Sequence, residues 1–247
     1  MRRKVFYIIA TVLVVSLGVG MGLLLKSTRE KHFQTSCGQL EVSFTDSLKF
    51  VSESDVKNFL ARNYGDYIGQ RLDSVKLAKI EEMLESRSVV MNSEAWVTDD
   101  GILHVSISQR APVMRLMGEK DGFYIDAEGY IFPLHKTYTA EVPVVSGKVS
   151  RDSVFIASML RLERFLKDAP KYGAMAESME IDGNGELNIR TGRGDELFVL
   201  GEIKELKEKF AKIEQYYAHI VPHAGEGRYR KVTVKYKNQI ICREKDI

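Results

Sequence analysis

From Gln39 onward the chain settles into a regular alternation: Leu40, Val42 and Phe44 are apolar and their neighbours polar, which predicts a β-strand. Ser52 then precedes Glu53, Ser54 and Asp55, the sequence of a capped helix start. Val56, Phe59 and Leu60 fall on one face of that helix. Gly65 and Gly69 mark a loop, and Asp73 is placed to cap a second helix whose apolar face is Leu77, Ile80 and Leu84. Val89 to Thr98 is β-prone, Asp99-Asp100-Gly101 is a hairpin turn signal, and Leu103, Val105 and Ile107 alternate with His104, Ser106 and Ser108. The predicted order is strand, helix, helix, strand, strand, sufficient for a small α+β domain.

A second region begins near Ala111-Pro112. Val113 to Met117, Phe123 to Asp126 and Tyr130 to Phe132 read as short strands, with a turn over Asp126 to Gly129. Pro133 and Pro143 punctuate the chain up to Gly147, and Asp152 or Ser150 can start a helix running to about Lys167. Met175 to Ile181 and Glu186 to Arg190 flank a hairpin turn, Asp182 to Gly185. Glu196 to Leu200 is a further strand. Ile203, Leu206, Phe210, Ile213 and Tyr217 recur at spacings of three and four, which predicts a long helix over Glu202 to His219. Val232, Val234 and Tyr236 alternate with charged neighbours before Ile240 and Ile241. This predicts one long terminal strand over Tyr229 to Cys242, bent or bulged near Lys237-Asn238. The fold class expected is α+β: an N-terminal membrane helix, a β-α-α-β-β domain, then a mixed β-sheet domain with two helices.

The amino terminus has a different character. Met1-Arg2-Arg3-Lys4 is followed by an uncharged run, Val5 to Leu25, and at ~1.5 Å per residue that run reaches ~32 Å, enough for a bilayer core. Lys26 follows without an Ala-x-Ala site, so the run reads as an uncleaved anchor and not as a signal peptide. The organisation expected is a cytoplasmic tail (1–4), a transmembrane helix (5–25), a linker (26–36) and two domains (37–110 and 111–247). The cluster Arg2-Arg3-Lys4 favours a cytoplasmic amino terminus and a translocated body.

Composition narrows the function. The net charge of +2, with both signs interleaved, gives no basis for nucleic-acid binding. Cys37 and Cys242 lack CxxC spacing and read as two free thiols; a disulfide would require both ends of the body to meet. His32, His104, His135, His219 and His223 form no HExxH, and Pro222 is expected to break the helix that would align His219 with His223. There is no phosphate-binding glycine loop, no GxSxG and no paired acid and base at catalytic spacing. The chain is therefore not expected to be an enzyme, and no cofactor or metal is implied.

Several segments, taken in order, resemble the bacterial FtsQ/DivIB family. The order over 39–108 is similar to a POTRA (polypeptide-transport-associated) domain. Gly101 to Ile107 followed by Gln109-Arg110-Ala111-Pro112 resembles the family's strand and Arg-x-Pro junction into its β domain. Phe123 to Phe132, with Asp126 and Gly129, resembles its Asp, Gly, apolar hairpin. Leu134 to Gly147, ending in Val142 to Gly147, resembles the Pro-apolar-x-Gly segment before the first β-domain helix, and Leu200-Gly201 precedes a helix carrying Lys207 and Phe210. Val232 to Tyr236 resembles the terminal strand, with Thr233 and Lys235 where the family has Asp and Arg.

The resemblance implies a cell-division scaffold at the division site of the inner (plasma) membrane, its body extracytoplasmic. It implies FtsB- and FtsL-like partners and, through them, the septal peptidoglycan synthase. A terminal strand can be an edge whose free backbone groups a partner strand completes. On that basis Tyr236, Lys237, Asn238, Gln239, Ile240, Ile241, Cys242 and Arg243 are the candidate docking residues. Tyr236 matches the family's terminal-strand tyrosine, and Lys235, Lys237 and Arg243 could steer an acidic partner. The competing readings are a membrane-anchored envelope hydrolase, an extracytoplasmic sensor and a POTRA-bearing secretion component.

Overall fold

The computed structural model describes residues 15–21 and 35–245. The expected tail 1–4, most of the expected span 5–25 and residues 26–34 lie outside the described residues; 15–21 are helical. Among the described residues no helix is long and apolar enough to cross a membrane. The chain divides into two compact units, up to Gln109 and from Arg110.

The first unit contains β1 (Gln39–Phe44), α1 (Glu53–Asn63), a 3-10 turn (Leu72–Ser74), α2 (Leu77–Glu85), β2 (Val90–Val97) and β3 (Ile102–Gln109). The sheet order is β1-β3-β2, with β1 parallel and β2 antiparallel to β3. The two helices are the crossover that a parallel β1–β3 pair requires. Their apolar faces, Val56 and Leu60 on α1 and Ile80 and Leu84 on α2, are fully buried, as are Leu103, Val105 and Ile107 of β3. Ser52 caps α1 as expected: its Oγ accepts from Asp55 N (3.1 Å), and Asp55 Oδ2 accepts from Ser52 N (3.0 Å).

Asp73 does not cap α2. It sits in the 3-10 turn and takes Arg71 as its partner, and α2 starts four residues later from Lys76 with no side-chain cap. The nearer guanidinium outcompetes an exposed N-terminus. Thr35 and Ser36, expected in the linker, belong to the fold: Leu72 N donates to the Thr35 carbonyl at 3.1 Å, and Ser36 bridges Arg71. At the far end of β3 the buried Gln109 holds the loop after β1. Its amide donates to Asp46 Oδ1 (2.8 Å) and to the Leu48 carbonyl (2.7 Å), and accepts from Val51 N (2.9 Å).

The second unit is a nine-stranded mixed sheet with helices on one face. Its strands are β4 (Met114–Met117), β5 (Gly122–Ile125), β6 (Ile131–Pro133), β7 (Val144–Gly147), β8 (Ser178–Ile181), β9 (Leu187–Arg190), β10 (Leu197–Gly201), β11 (Tyr229–Thr233) and β12 (Ile241–Glu244). Their order is β12-β11-β10-β9-β8-β7-β4-β5-β6. The pairs β4–β7, β7–β8 and β10–β11 are parallel and the others antiparallel. Register lines up one core row across the sheet: Phe123, Leu116, Val145, Met179, Ile189, Phe198, Val232 and Cys242. That row packs against α3 (Ser153–Asp168), α4 (Pro170–Met175), α5 (Leu206–Gln215) and α6 (Val221–Ala224), through Met159, Leu162, Tyr172, Phe210 and Ile213 among others.

Several expectations are corrected in this unit. Four helices stand where two were expected, and β7 is a strand the pattern did not mark. Residues 170–175, placed in part in a strand, begin a helix because Pro170 sits in its first turn, where its missing N–H costs nothing. The long helix starts at Leu206 and not at Glu202; Glu205, with φ +52°, forms the bend before it. Pro222 does not break the helical path. Tyr216–Ile220 widens into a π-helical turn in which Val221 N bonds the Tyr216 carbonyl, and α6 carries the proline in its first turn. His223 Nδ1 accordingly reaches the His219 carbonyl at 2.9 Å. The expected single strand over Tyr229 to Cys242 is two antiparallel strands, β11 and β12, turning back at Asn238 (φ +57°).

Candidate interaction edge

The terminal hairpin places an open edge at one end of the second sheet. β11 lies parallel to β10, β12 pairs only with β11, and among the described residues no strand lies beyond it. The direction of the backbone groups follows from the alternation of a strand. Val234 N donates to the Val199 carbonyl at 3.0 Å, so Val234 and Val232 direct their amides and carbonyls toward β10. Lys231 and Thr233 therefore bond toward β12, opposite Arg243 and Ile241. It follows that the N–H and C=O of Cys242 point away from the sheet. Lys245 N donates to the Arg228 carbonyl at 3.2 Å, so Glu244, one residue earlier, also points outward.

The side chains divide differently. Ile240 and Cys242 pack against the core, and burial pushes the Cys242 thiol above its ordinary value. Ile241 lies on the opposite face and is 47% exposed. Arg243 is exposed on that same face. The eight sequence-predicted residues are thus not one strand: Ile241, Cys242 and Arg243 belong to β12, whereas Tyr236 to Ile240 form the connection that leads into it. Tyr236 is 48% exposed, with Lys235 Nζ 5.3 Å from the centre of its ring.

Residues outside the eight candidates hold this hairpin in place. Lys212 of α5 donates through Nζ to the carbonyls of Tyr236 (2.6 Å) and Val234 (3.2 Å). Lys235 bonds Glu186 at 2.6 Å, and Arg228 braces Glu244 at 2.7 Å. Between α5 and the connection lies an open groove of ≈ 530 Å³, lined by Glu208, Lys212, Gln215 and residues 237–240. Lysines and glutamates at such spacings look like ordinary solvated positions, so only the tertiary fold reveals these clamps.

Among the described residues no group of three His, Cys, Asp or Glu is placed to hold a metal ion. His104 stacks on Trp96 at 5.2 Å and lies 3.4 Å from Glu41 on the first sheet. Both cysteines are free thiols.

Residues 35–108 match the POTRA-like domain family. A comparison with curated proteins found no match. Residues 111–243, more than half of the chain, match the family described as "FtsQ/DivIB, C-terminal related", and with the open-ended sheet and the POTRA-like unit ahead of it this chain belongs to the FtsQ/DivIB family of cell-division proteins.

Proposed function

We propose that the chain is a non-enzymatic division scaffold whose second domain captures a partner polypeptide by strand addition at β12. The single observation that carries this reading is the position of β12 as the last strand, with the Cys242 and Glu244 backbone groups directed outward. An added strand would bond to those groups, and its alternate side chains would meet Ile241 on one face and the Ile240–Cys242 side on the other. The connection Tyr236 to Gln239 and the groove beside α5 extend the contact, and Lys237 and Arg243 favour an acidic partner. The partners the family resemblance implies are FtsB- and FtsL-like proteins, which would link the scaffold to the septal peptidoglycan synthase. In this reading Val5 to Leu25 anchors the chain once in the inner membrane, with both domains on the extracytoplasmic side.

The edge is tested by Cys242→Pro against Cys242→Ala. Proline removes one outward N–H without breaking the ladder to β11, the arrangement an edge strand tolerates. Alanine keeps that N–H and changes only the side chain. Co-purification of an FtsB-like partner with the full chain should be lost in Cys242→Pro and retained in Cys242→Ala. Equal capture by both variants, with both folded, rules out pairing at this edge.

A further inference from the structure

The helix-free face of the second sheet carries an ordered row of cations, of which the edge docking uses Arg243 alone. One residue out of step with the core row, the register sets Arg115, Val144, Ser178, Arg190, Leu197, Lys231 and Arg243 side by side across seven strands, from β4 to β12. Each is the neighbour of a core-facing residue, so all seven point away from the helices. Four of the seven are basic. Within the strands of this face the acidic residue is Glu180, in the adjoining row.

Within the fold these four charges make no direct ion pair, although the Lys231 ammonium acts through space on Asp182 and is among the groups that hold its carboxyl below the usual value. Among the described residues none of the four forms an ion pair with a carboxylate. Arg190 Nη1 donates to the Asp195 backbone carbonyl, at 2.8 Å. Arg115 is half-buried, and its Nε is enclosed without a hydrogen-bond partner. Arg190, Lys231 and Arg243 are exposed. Two apolar side chains interrupt the row, Val144 at 43% exposure and the half-buried Leu197. The row carries four cations with two apolar side chains set among them, which fits an acidic ligand that also carries apolar groups. A uniformly charged polymer or a headgroup layer would leave Val144 and Leu197 without apolar partners.

We infer that this face binds an acidic, extended polypeptide segment with interleaved apolar side chains, lying across the strands. At ~4.8 Å per strand the row is ~29 Å long, which an extended chain at ~3.3 Å per residue spans with about nine residues. Such a segment lies crosswise on the face, so it is distinct from a strand added along β12.

The probe is a fluorescein-labelled Glu-Leu peptide of nine residues, Glu-Ser-Leu-Ser-Glu-Ser-Leu-Ser-Glu, whose odd positions share one face when extended, titrated with the full chain in detergent and read by fluorescence anisotropy. Binding should weaken with added salt, and a Lys-Leu peptide of the same length should not bind. Arg190→Glu with Lys231→Glu should weaken the Glu-Leu peptide at least about tenfold. Arg164→Glu with Lys207→Glu, on the helical face, should leave it unchanged. Cys242→Pro should also leave it unchanged, which separates this face from the edge: loss in Cys242→Pro alone would mean that the peptide adds at β12 and overturns the inference. Equal binding by the Arg190→Glu/Lys231→Glu variant overturns it too. So does capture of phosphatidylglycerol vesicles through these residues with no binding of the peptide.

Discussion

Arg110 and Asp126 meet in the second unit sixteen residues apart: Arg110 Nη1 donates to Asp126 Oδ2 at 2.5 Å. The Arg110 guanidinium also lies 3.9 Å from the centre of the Tyr130 ring. Asp126 is 2% exposed, and its other oxygen accepts from the backbone of Glu128 (3.1 Å) and Tyr130 (2.7 Å), which shapes the turn into β6. The carboxylate therefore ties the first residue of the unit to its first hairpin.

Removal of the arginine leaves a buried carboxylate without its cation. Arg110→Ala should cost about 3 kcal/mol, measured by urea denaturation. Arg110→Lys should cost less, because the charge remains while the planar contact with Tyr130 is lost. An unchanged midpoint for Arg110→Ala would show that the backbone bonds alone satisfy Asp126.

Gly147 ends β7 with φ +96°, and a Cβ there would lie 2.2 Å from the Ile181 carbonyl oxygen. Both the backbone angle and the close approach of β8 require glycine. Gly147→Ala should destabilise by roughly 3 kcal/mol, read as a lower thermal midpoint. Gly183→Ala, where a Cβ meets nothing within 4 Å, should be near neutral and serves as the control.

These positions show what the sequence reveals and what it hides. The Ser52–Asp55 cap is a local arrangement of four residues, and local pattern suffices for it. The Arg110 and Asp126 segments stood out by resemblance, but that they touch is a tertiary fact. β7 is short and lies between punctuating residues, too brief for an alternation to register. The terminal hairpin was hidden by parity: Val232 and Val234 face the core before the turn, Ile240 and Cys242 after it. All four are even-numbered, so a chain that reverses direction at Asn238 presents the same alternation as one that continues straight. Only the left-handed backbone at Asn238 marks the reversal, and asparagine is also common in irregular bulges. The clamps by Lys212 and Lys235 carry no periodic signal at all.

Tyr216 gives a pH dependence with a defined sign. Its ring is fully buried, and its hydroxyl donates to Glu196 Oε1 at 3.0 Å. Burial, and then the hydrogen bond to that carboxylate, push the phenol well above its ordinary value. A raised value means that the folded state holds the proton where the unfolded state has released it. The stabilisation is complete below about pH 10 and falls as the pH rises toward the folded value. Tyr216→Phe should cost about 1–3 kcal/mol at neutral pH, because Glu196 Oε2 already has no partner among the described residues and Oε1 would lose its own. The stability difference between wild type and Tyr216→Phe, measured by urea denaturation, should be constant from pH 7 to 9 and shrink above about pH 10. A difference that grows with alkalinity would mean the phenol is not the proton donor.

Lys212 links the helical layer to the candidate edge, so it separates the hold on the hairpin from the hairpin's own contacts. Its ammonium bridges the Val234 and Tyr236 carbonyls from α5 and does not touch β12. Lys212→Met keeps the aliphatic stem and removes both bonds. The two carbonyls can turn to water, so the cost should be modest, about 1 kcal/mol. The main effect should be local: hydrogen exchange over 234–244 should speed up while the core strand β9 keeps its protection. If strand addition at β12 needs a pre-set edge, partner affinity should fall about three- to tenfold with dissociation faster and association little changed. Normal affinity with faster exchange would mean that the partner orders the hairpin itself. Normal exchange would mean that the ladder to β11, not Lys212, fixes the edge.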